Sequence, residues 1–250
     1  VFTRSGTSWS QQAYIKASNT GASDGFGMLV SLSTDGNTMA VSSQSEGSNA
    51  TGINGDQTDN SASGSGAVYV FARSGSTWSQ QAYIKASNSE ANDGFSYSMN
   101  LSGYGNTLAV GTPYEDSNAI GINGDETNNS ARIAGAAYVF TRTGTTWSQQ
   151  AYIKASNAEN SDAFGVMLSL SADGNTLAVG GEGERSNATG VNGDQTNNTA
   201  PASGAVYVLT RSGSSWSQQA YLKASTTGVE DSFAWPTLSG DGNTLAVGVL

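Results

Sequence analysis

Oxygen-bearing side chains cluster in one short segment of the sequence, which reads GINGDQTDN over residues 52–60. Asn54, Asp56 and Thr58 alternate along this segment, and Asp59 follows directly. Hard cations such as Ca²⁺ are bound by carboxylate, amide and carbonyl oxygens, about six to eight of them. The segment therefore predicts a calcium site. The alternative is a loop whose Asn and Asp side chains hydrogen-bond their own backbone.

The same segment occurs three times, because it returns as GINGDETNN at residues 121–129 and as GVNGDQTNN at residues 190–198. The predicted calcium ligands are Asn54, Asp56, Thr58, Asp59, Asn123, Asp125, Asn128, Asn192, Asp194 and Asn197. Each copy supplies only one or two carboxylates, so we expect any calcium bound there to be held weakly.

The composition narrows the classes of function. The 250 residues include no His and no Cys, and the formal net charge is −10. The commonest general base and all thiol chemistry are therefore missing, and we expect a non-enzymatic protein. A negative chain lacks the basic surface that nucleic acid requires. No apolar run approaches the roughly 20 residues of a membrane-spanning helix, so we expect no membrane insertion.

An internal repeat of 69 residues organises the chain. The phrase WSQQAYIKAS begins at Trp9, Trp78 and Trp147, and it returns at Trp216 with Leu222 in place of isoleucine. The units are in phase at residues 1, 70, 139 and 208, within a single domain over residues 1–250. A period of this size indicates a repeat architecture.

Each unit predicts four short strands, which in the first copy cover residues 26–33, 38–42, 66–73 and 9–18. The turns DGN and RSGTS join neighbouring strands tightly. The fold class is therefore all-β, a β-propeller of four-stranded antiparallel blades. The tight turns share one face of the propeller. The opposite face carries the long segment 44–65 and the blade-to-blade link 19–24. We call it the long-loop face, and we expect ligands to bind there.

The blade count stays open at this point. Residues 1–18 supply the third and fourth strands of a unit, and residues 233–248 supply the first and second. The two ends could complete one shared blade. Alternatively, the four units belong to a longer propeller, or separate chains share a ring or add end to end; starting and stopping inside a repeat favours a segment of a longer protein.

Residues that recur once per unit have structural interpretations. The tryptophans are expected to be buried between neighbouring units. The lysines at 16, 85, 154 and 223 are expected on the exposed face of an outer strand, where they would prevent edge-to-edge aggregation. The first strand should line the central channel, where the copies differ. Tyr97 and Trp235 stand there as the candidate ligand-binding residues.

Three short motifs resemble the FG-GAP repeat family, the integrin-α-type β-propellers. Phe26-Gly27 and Phe164-Gly165 match the FG pair, Gly111-Thr112-Pro113 is similar to the GAP triplet, and GAVYVF follows at residues 66–71. The resemblance covers the whole chain and implies an extracellular adhesion, recognition or sugar-binding scaffold. Such propellers commonly carry a calcium loop between the first two strands. Here STDGNT at residues 33–38 lacks most of its carboxylates, so that position is interpreted as a turn.

These observations predict a secreted or cell-surface, non-enzymatic binding or adhesion propeller that uses its long-loop face on a protein or glycan ligand. One alternative is a carbohydrate-binding lectin that uses the same loops with Ca²⁺. Another is a structural subunit of a surface layer or filament, in which the near-identical repeats serve self-association.

Overall fold

The computed structural model describes residues 1–249, and within them it has sixteen β-strands and no α-helix, so none that could cross a membrane. The strands are β1 (Phe2–Ser5), β2 (Ser8–Gln11), β3 (Phe26–Leu32), β4 (Thr38–Ser43), β5 (Ala67–Ser74), β6 (Thr77–Ile84), β7 (Ser98–Leu101), β8 (Thr107–Thr112), β9 (Ala136–Thr143), β10 (Thr146–Ile153), β11 (Phe164–Leu170), β12 (Thr176–Gly181), β13 (Ala205–Ser212), β14 (Ser215–Leu222), β15 (Trp235–Leu238) and β16 (Leu245–Gly248).

Consecutive strands form three complete antiparallel blades, which confirms the predicted propeller fold. Blade 1 is β3–β6, blade 2 is β7–β10 and blade 3 is β11–β14. Two separate hairpins flank them, the N-terminal half-blade β1–β2 and the C-terminal half-blade β15–β16. The first strands β3, β7, β11 and β15 contact one another in series, so they lie innermost. The four sequence units thus appear as three whole blades and two halves.

The DGN turns close the hairpin between the first two strands of a blade. The Asp35 carboxylate accepts hydrogen bonds from the Ser33 hydroxyl at 2.6 Å and from the Asn37 amide at 2.9 Å, and Gly36 has a φ of 67°. These hydrogen bonds stabilise the anion and lower the pKa of Asp35 to about 2. The carboxylate therefore works as a turn cap, as the sequence predicted for this position.

The repeated phrase WSQQAYIKAS supplies the outer strand and also sets the contact between blades. In β10, the pairing with β9 skips Gln150, which forms a bulge between Gln149 and Ala151. A bulge re-aims its side chain. Gln150 accordingly accepts hydrogen bonds from Trp216 Nε1 at 2.9 Å and from Arg211 at 3.0 Å in the next blade. The bulged Gln150 therefore fixes blade 2 against blade 3.

A glycine at the start of the third strand allows the blades to approach closely. Gly66 and Gly135 have φ values of 81° and 79°. A Cβ atom at these positions would lie 2.0 Å from the Phe95 carbonyl oxygen and 2.1 Å from that of Phe164. A side chain there would therefore push the following blade away.

A buried ion pair joins the long loop of each blade to its outer strand. In blade 2, Glu115 accepts hydrogen bonds from Lys154 Nζ at 2.6 Å and from the Tyr152 hydroxyl at 2.8 Å. It also accepts one at 3.0 Å from the side-chain amide of Asn88, which lies in the link arriving from blade 1. The side-chain oxygen of Asn88 in turn accepts a hydrogen bond from the Tyr138 hydroxyl at 2.5 Å. The equivalent ion pairs are Glu46–Lys85 at 2.9 Å and Glu184–Lys223 at 2.7 Å.

The prediction that the repeated lysines are exposed is wrong for three of the four. Lys85, Lys154 and Lys223 are buried, and only Lys16 is exposed. The long loop folds back over the outer strand, as the bridge between Ile122 and Ile153 shows, and covers the face on which the lysine lies. Burial lowers the pKa of each of the three buried amines.

The prediction of buried tryptophans is confirmed in blades 2 and 3, holds in part for Trp78 of blade 1, which is half-buried, and fails for Trp9. Trp147 and Trp216 are only 4% and 7% exposed, whereas Trp9 in the N-terminal half-blade is 66% exposed. The same sequence phrase therefore has a different environment where no preceding blade lies against it.

Replacing Lys154 by methionine is expected to destabilise the protein by about 3–5 kcal/mol, because Glu115 would stay buried without its cation. Urea denaturation measures this change in the free energy of unfolding. The control is Lys16→Met, which alters the same repeated phrase at its exposed copy and should change stability little. Equal effects of the two substitutions would contradict the buried ion pair.

Candidate functional site

An asparagine in the middle of each long loop extends the sheet. The side-chain oxygen of Asn54 accepts a hydrogen bond from the Tyr83 backbone amide at 2.9 Å. The Asn54 backbone amide donates a hydrogen bond to the Tyr83 carbonyl at 2.7 Å. Asn54 has a φ of 56°, a conformation that asparagine tolerates. Asn123 and Asn192 make the same pairs of hydrogen bonds with Tyr152 and Tyr221. These three predicted calcium ligands therefore already serve the edge of the outer strand.

The remaining predicted ligands hydrogen-bond within their own loops. Asp56 Oδ1 accepts the Thr58 amide at 2.9 Å and the Thr58 hydroxyl at 2.7 Å, and Asp59 accepts the Ser61 amide at 2.7 Å. The matching interactions elsewhere are Asp125 with Thr127, Asp194 with Thr196, Asn128 with Ser130, and Asn197 with Thr199. The alternative interpretation of the loop, Asn and Asp bonded to their own backbone, describes this geometry.

These hydrogen bonds affect how well the loop could bind a calcium ion. Within residues 1–249, no group of three or more His, Cys, Asp or Glu is arranged to hold a metal ion. The hydrogen bonds from Thr58 both occupy Asp56 Oδ1, and the turn that they close contains this one carboxylate. The side chains of the loop therefore fit Ca²⁺ poorly by themselves, and calcium binding stays a prediction.

Four positions differ among all three complete blades, and in blade 2 they hold two tyrosines, an aspartate and an arginine. Tyr114 stands where blade 1 has Ser45 and blade 3 has Gly183, counting by the 69-residue period. By the same count, three neighbours of Tyr114 are also particular to this blade. They are Tyr97, which replaces Met28 and Val166; Asp116, which replaces Gly47 and Arg185; and Arg132, which replaces Ser63 and Pro201.

These residues surround a cleft on the long-loop face. Tyr114 and Asn92 line two adjoining cavities, of about 320 Å³ towards Asp116 and Arg132 and of about 440 Å³ towards Gln44. We call these five residues the Tyr114 cleft. The Tyr114 side chain is 41% exposed. It belongs to blade 2, whereas Gln44 follows β4 in blade 1, so the cleft lies between two blades.

Two contacts hold the Tyr114 ring in place. Its centroid lies 5.6 Å from that of Tyr97, and the two rings meet edge to face at 83°. Its other neighbour is the backbone of Gly94, where an added Cβ would lie 3.0 Å from the ring. Partial burial, the Tyr97 hydroxyl and the Glu182 carboxylate raise the pKa of Tyr114. The ring is therefore fixed and neutral, and it is partly open to solvent.

Negative charge dominates the cleft. Glu90 and Asp93 line the cavity beside Asp116, and Arg132 is the cation there. Asp93 is only 7% exposed, and its carboxylate accepts the Glu90 amide at 2.9 Å. Burial first, and then neighbouring carboxylates that include Glu115, raise the pKa of Asp93 to about 7. Burial likewise raises the pKa of Asp162, the equivalent residue of blade 3, to about 7.

The two predicted ligand-binding residues lie on different blades. Tyr97 packs on Tyr114 at the cleft, while Trp235 begins β15 in the C-terminal half-blade. Trp235 Nε1 is buried and has no hydrogen-bond partner among the described residues. The structure thus joins Tyr97 to a larger site and leaves Trp235 apart from it.

Sequence reasoning missed Tyr114, Asp116 and Arg132. They lie in the variable segments before and after the repeated loop, where no motif marks them. Aligning the copies at the 69-residue period singles them out, since each replaces residues of different size or charge.

The fold defines a β-propeller built from one repeated blade. The FG-GAP repeat matches residues 9–71, 78–140 and 147–209, which together cover more than half of the chain. The chain therefore belongs to the FG-GAP repeat family, as the sequence motifs indicated. FG-GAP repeats are typical of extracellular and cell-surface proteins.

Two solved structures align with most of this chain at low sequence identity. One is a candidate 6-phosphogluconolactonase from Bacteroides uniformis ATCC 8492, at 11% identity and a TM-score of 0.46, covering 87% of this chain and 46% of that one. The other is hydrazine synthase of Kuenenia stuttgartiensis, at 14% identity and a TM-score of 0.48. The match covers 94% of this chain and 45% of that one. The chain spans less than half the length of either. No curated protein matches it in sequence.

The buried aspartates predict a pH dependence of stability. A pKa of about 7 in the folded state lies above the ordinary value of 3.8, so folding favours the protonated carboxyl. The stability that these groups contribute is complete below about pH 4 and is lost as the pH rises through 7. We expect Asp93→Asn to stabilise the protein more at pH 8 than at pH 5, by at most about 3 kcal/mol, because only the pH range between 5 and 7 contributes.

Thermal unfolding of wild type and Asp93→Asn at the two pH values measures this difference. The control is Asp56→Asn, because hydrogen bonds from Thr58 lower the pKa of Asp56 and keep it ionised at both pH values. An unchanged difference between pH 5 and pH 8 in Asp93→Asn would contradict the assignment.

Proposed function

We propose that this protein is a secreted or cell-surface binding and adhesion propeller, without enzymatic activity, whose ligand docks on the long-loop face at the Tyr114 cleft. The observation that carries the proposal is the concentration of non-repeated residues in this one cleft. Elsewhere the blades repeat the same residues for packing, whereas here two tyrosines, an aspartate and an arginine replace small or unlike residues.

The chemistry of the cleft supports a protein ligand. Tyrosine and arginine are the residues most often responsible for binding energy at protein interfaces, and a ring fixed before binding loses little entropy. Tyr114 is held by Tyr97 and Gly94 and is still partly open to solvent. It therefore has the features of an anchor residue.

The charge of the cleft supports a basic ligand segment. Glu90 and Asp116 outnumber Arg132, and the whole chain carries a net charge of −10. A lysine or arginine side chain of a partner could lie against the Tyr114 ring and be balanced by these carboxylates. We accordingly propose a protein ligand that presents a basic side chain.

A glycan ligand is the second candidate, and the same cleft supports it. An exposed tyrosine beside Asp116, Asn92 and Gln44 offers a ring for the apolar face of a sugar and several hydrogen-bonding groups for its hydroxyls. In this lectin form of the proposal, calcium would bind through the loops at Asp56, Asp125 and Asp194.

The test screens the protein against an array of basic and acidic peptides and against a glycan array, and then titrates the strongest hit. Tyr114→Ala should weaken that binding by about 2 kcal/mol, or roughly 30-fold, as loss of a central tyrosine does. Repeating the titration in millimolar calcium and in chelator tests the calcium hypothesis, which predicts loss of affinity in chelator.

The matched control is Tyr104→Ala. Tyr104 is 71% exposed but lies in the tight turn of blade 2 on the opposite face of the propeller. Binding that is weakened by Tyr104→Ala and unaffected by Tyr114→Ala would place the ligand on the wrong face for this proposal. Inhibition by free sugar and not by basic peptide would select the lectin form.

A further inference from the structure

One carboxylate in each complete blade holds a lysine amine and an asparagine amide on its two oxygens. In blade 2, Glu115 Oε2 accepts a hydrogen bond from Lys154 Nζ at 2.6 Å, and Glu115 Oε1 accepts one from Asn88 Nδ2 at 3.0 Å. The lysine and the asparagine are 39 and 27 residues away from Glu115 in the sequence. The fold therefore brings an amine and an amide from two distant segments to the same proton acceptor.

The same three residue types meet in the other two complete blades. In each of them, the lysine again occupies Oε2 of the glutamate and the asparagine occupies Oε1. The residues are Lys85, Glu46 and Asn19, with both hydrogen bonds at 2.9 Å, and Lys223, Glu184 and Asn157, with hydrogen bonds at 2.7 Å and 3.1 Å. The arrangement is therefore a repeated feature of the blade.

The surroundings of the lysine favour its nucleophilic form. The side chains of Lys154 and Glu115 are 0% and 1% exposed. Burial lowers the pKa of the Lys154 amine, which favours the neutral form. A lysine amine removed from water is one of the ways in which proteins activate a nucleophile.

The asparagine carbonyl is polarised in the same site. The Tyr138 hydroxyl donates its hydrogen bond to Asn88 Oδ1, and the Tyr138 side chain is fully buried. A donor fixed at a carbonyl oxygen stabilises the negative charge that develops there when the carbon is attacked. The site thus combines a nucleophile, a polarised amide and a carboxylate that contacts both.

We propose that each of these sites forms an amide cross-link between its lysine and its asparagine once the chain has folded. In blade 2, the neutral Lys154 Nζ attacks Cγ of Asn88, so that a C–N bond forms and the bond between Cγ and Nδ2 breaks. Glu115 takes a proton from Nζ and delivers it to Nδ2, which leaves as ammonia. One amine and one primary amide become one secondary amide and one ammonia, with no other reactant. The ion pair is the state before this reaction.

The cross-link would constrain the array of blades. Asn88 lies in the link between blades 1 and 2, and Lys154 directly follows the outer strand β10. Each site reacts once, so the reaction is a modification of the chain by itself and not a catalytic turnover. Because the chain has no Cys, these amides would constrain the unfolded chain as disulfides do in other proteins.

The intact mass of the native protein tests the proposal. Each cross-link removes one ammonia, so we expect the protein to weigh three ammonia molecules less than its sequence. Lys16, which is exposed in the same repeated phrase, is the internal control and should appear in a linear peptide after digestion. The expected branched peptides join Lys85 to Asn19, Lys154 to Asn88 and Lys223 to Asn157.

Two substitutions in blade 2 assign the chemistry. Asn88→Ala removes the reacting amide, and Glu115→Ala removes the proton acceptor while both reacting groups stay in the chain. With either substitution, we expect the loss to fall from three ammonia molecules to two. The branched peptides of blades 1 and 3 should persist in both variants, and their presence shows that the variant has folded.

An intact mass equal to that of the sequence would overturn the proposal. A loss of ammonia without branched peptides would also overturn it, because an Asn–Gly pair such as Asn123-Gly124 can lose ammonia by cyclising onto its own backbone. A loss of three ammonia molecules that persists in Asn88→Ala or in Glu115→Ala would contradict the roles assigned to these residues.

Discussion

The buried lysine–glutamate pair is the interaction on which each blade depends. In blade 2, the Glu115 carboxylate receives hydrogen bonds from Lys154 and Tyr152 of the outer strand and from Asn88 in the incoming link. Three segments far apart in sequence thus meet at one group. Removing two charges from water is costly, and this cost is offset only when every hydrogen bond is made. The requirement explains why Lys, Glu, Tyr and Asn all recur in each of the three complete blades.

With the base of the long loop fixed in this way, the exposed positions around it can differ from blade to blade. The Asx turns at Asp56, Asp125 and Asp194 are near copies of one another and stiffen the tips. The residues beside the network differ: blade 2 has Tyr114 and Asp116 on either side of the common Glu115. A constant buried group flanked by variable exposed ones is the arrangement expected of a scaffold that presents a binding site.

The repeat made the fold predictable from the sequence. It did not reveal which residues contact each other across long distances in the sequence. Alternating apolar residues and the DGN turns predicted the first three strands of blade 1 to within one residue, whereas the fourth ends at Ile84, three residues before the end of the repeated phrase. Strand alternation also placed Lys85 on the outward face, but nothing local shows that Glu46, 39 residues earlier, folds over that face. Tyr97 was predicted as a candidate because its equivalents differ, whereas Tyr114 was missed because it lies in a loop with no strand pattern to compare.

The most direct measurement of the central claim is amine acylation of the native protein, mapped by mass spectrometry. The chain has four lysines in four copies of one phrase, so their chemistry differs only by environment. The account predicts rapid modification of Lys16 and protection of Lys85, Lys154 and Lys223, which are buried against their glutamates. Equal modification of all four lysines would contradict it.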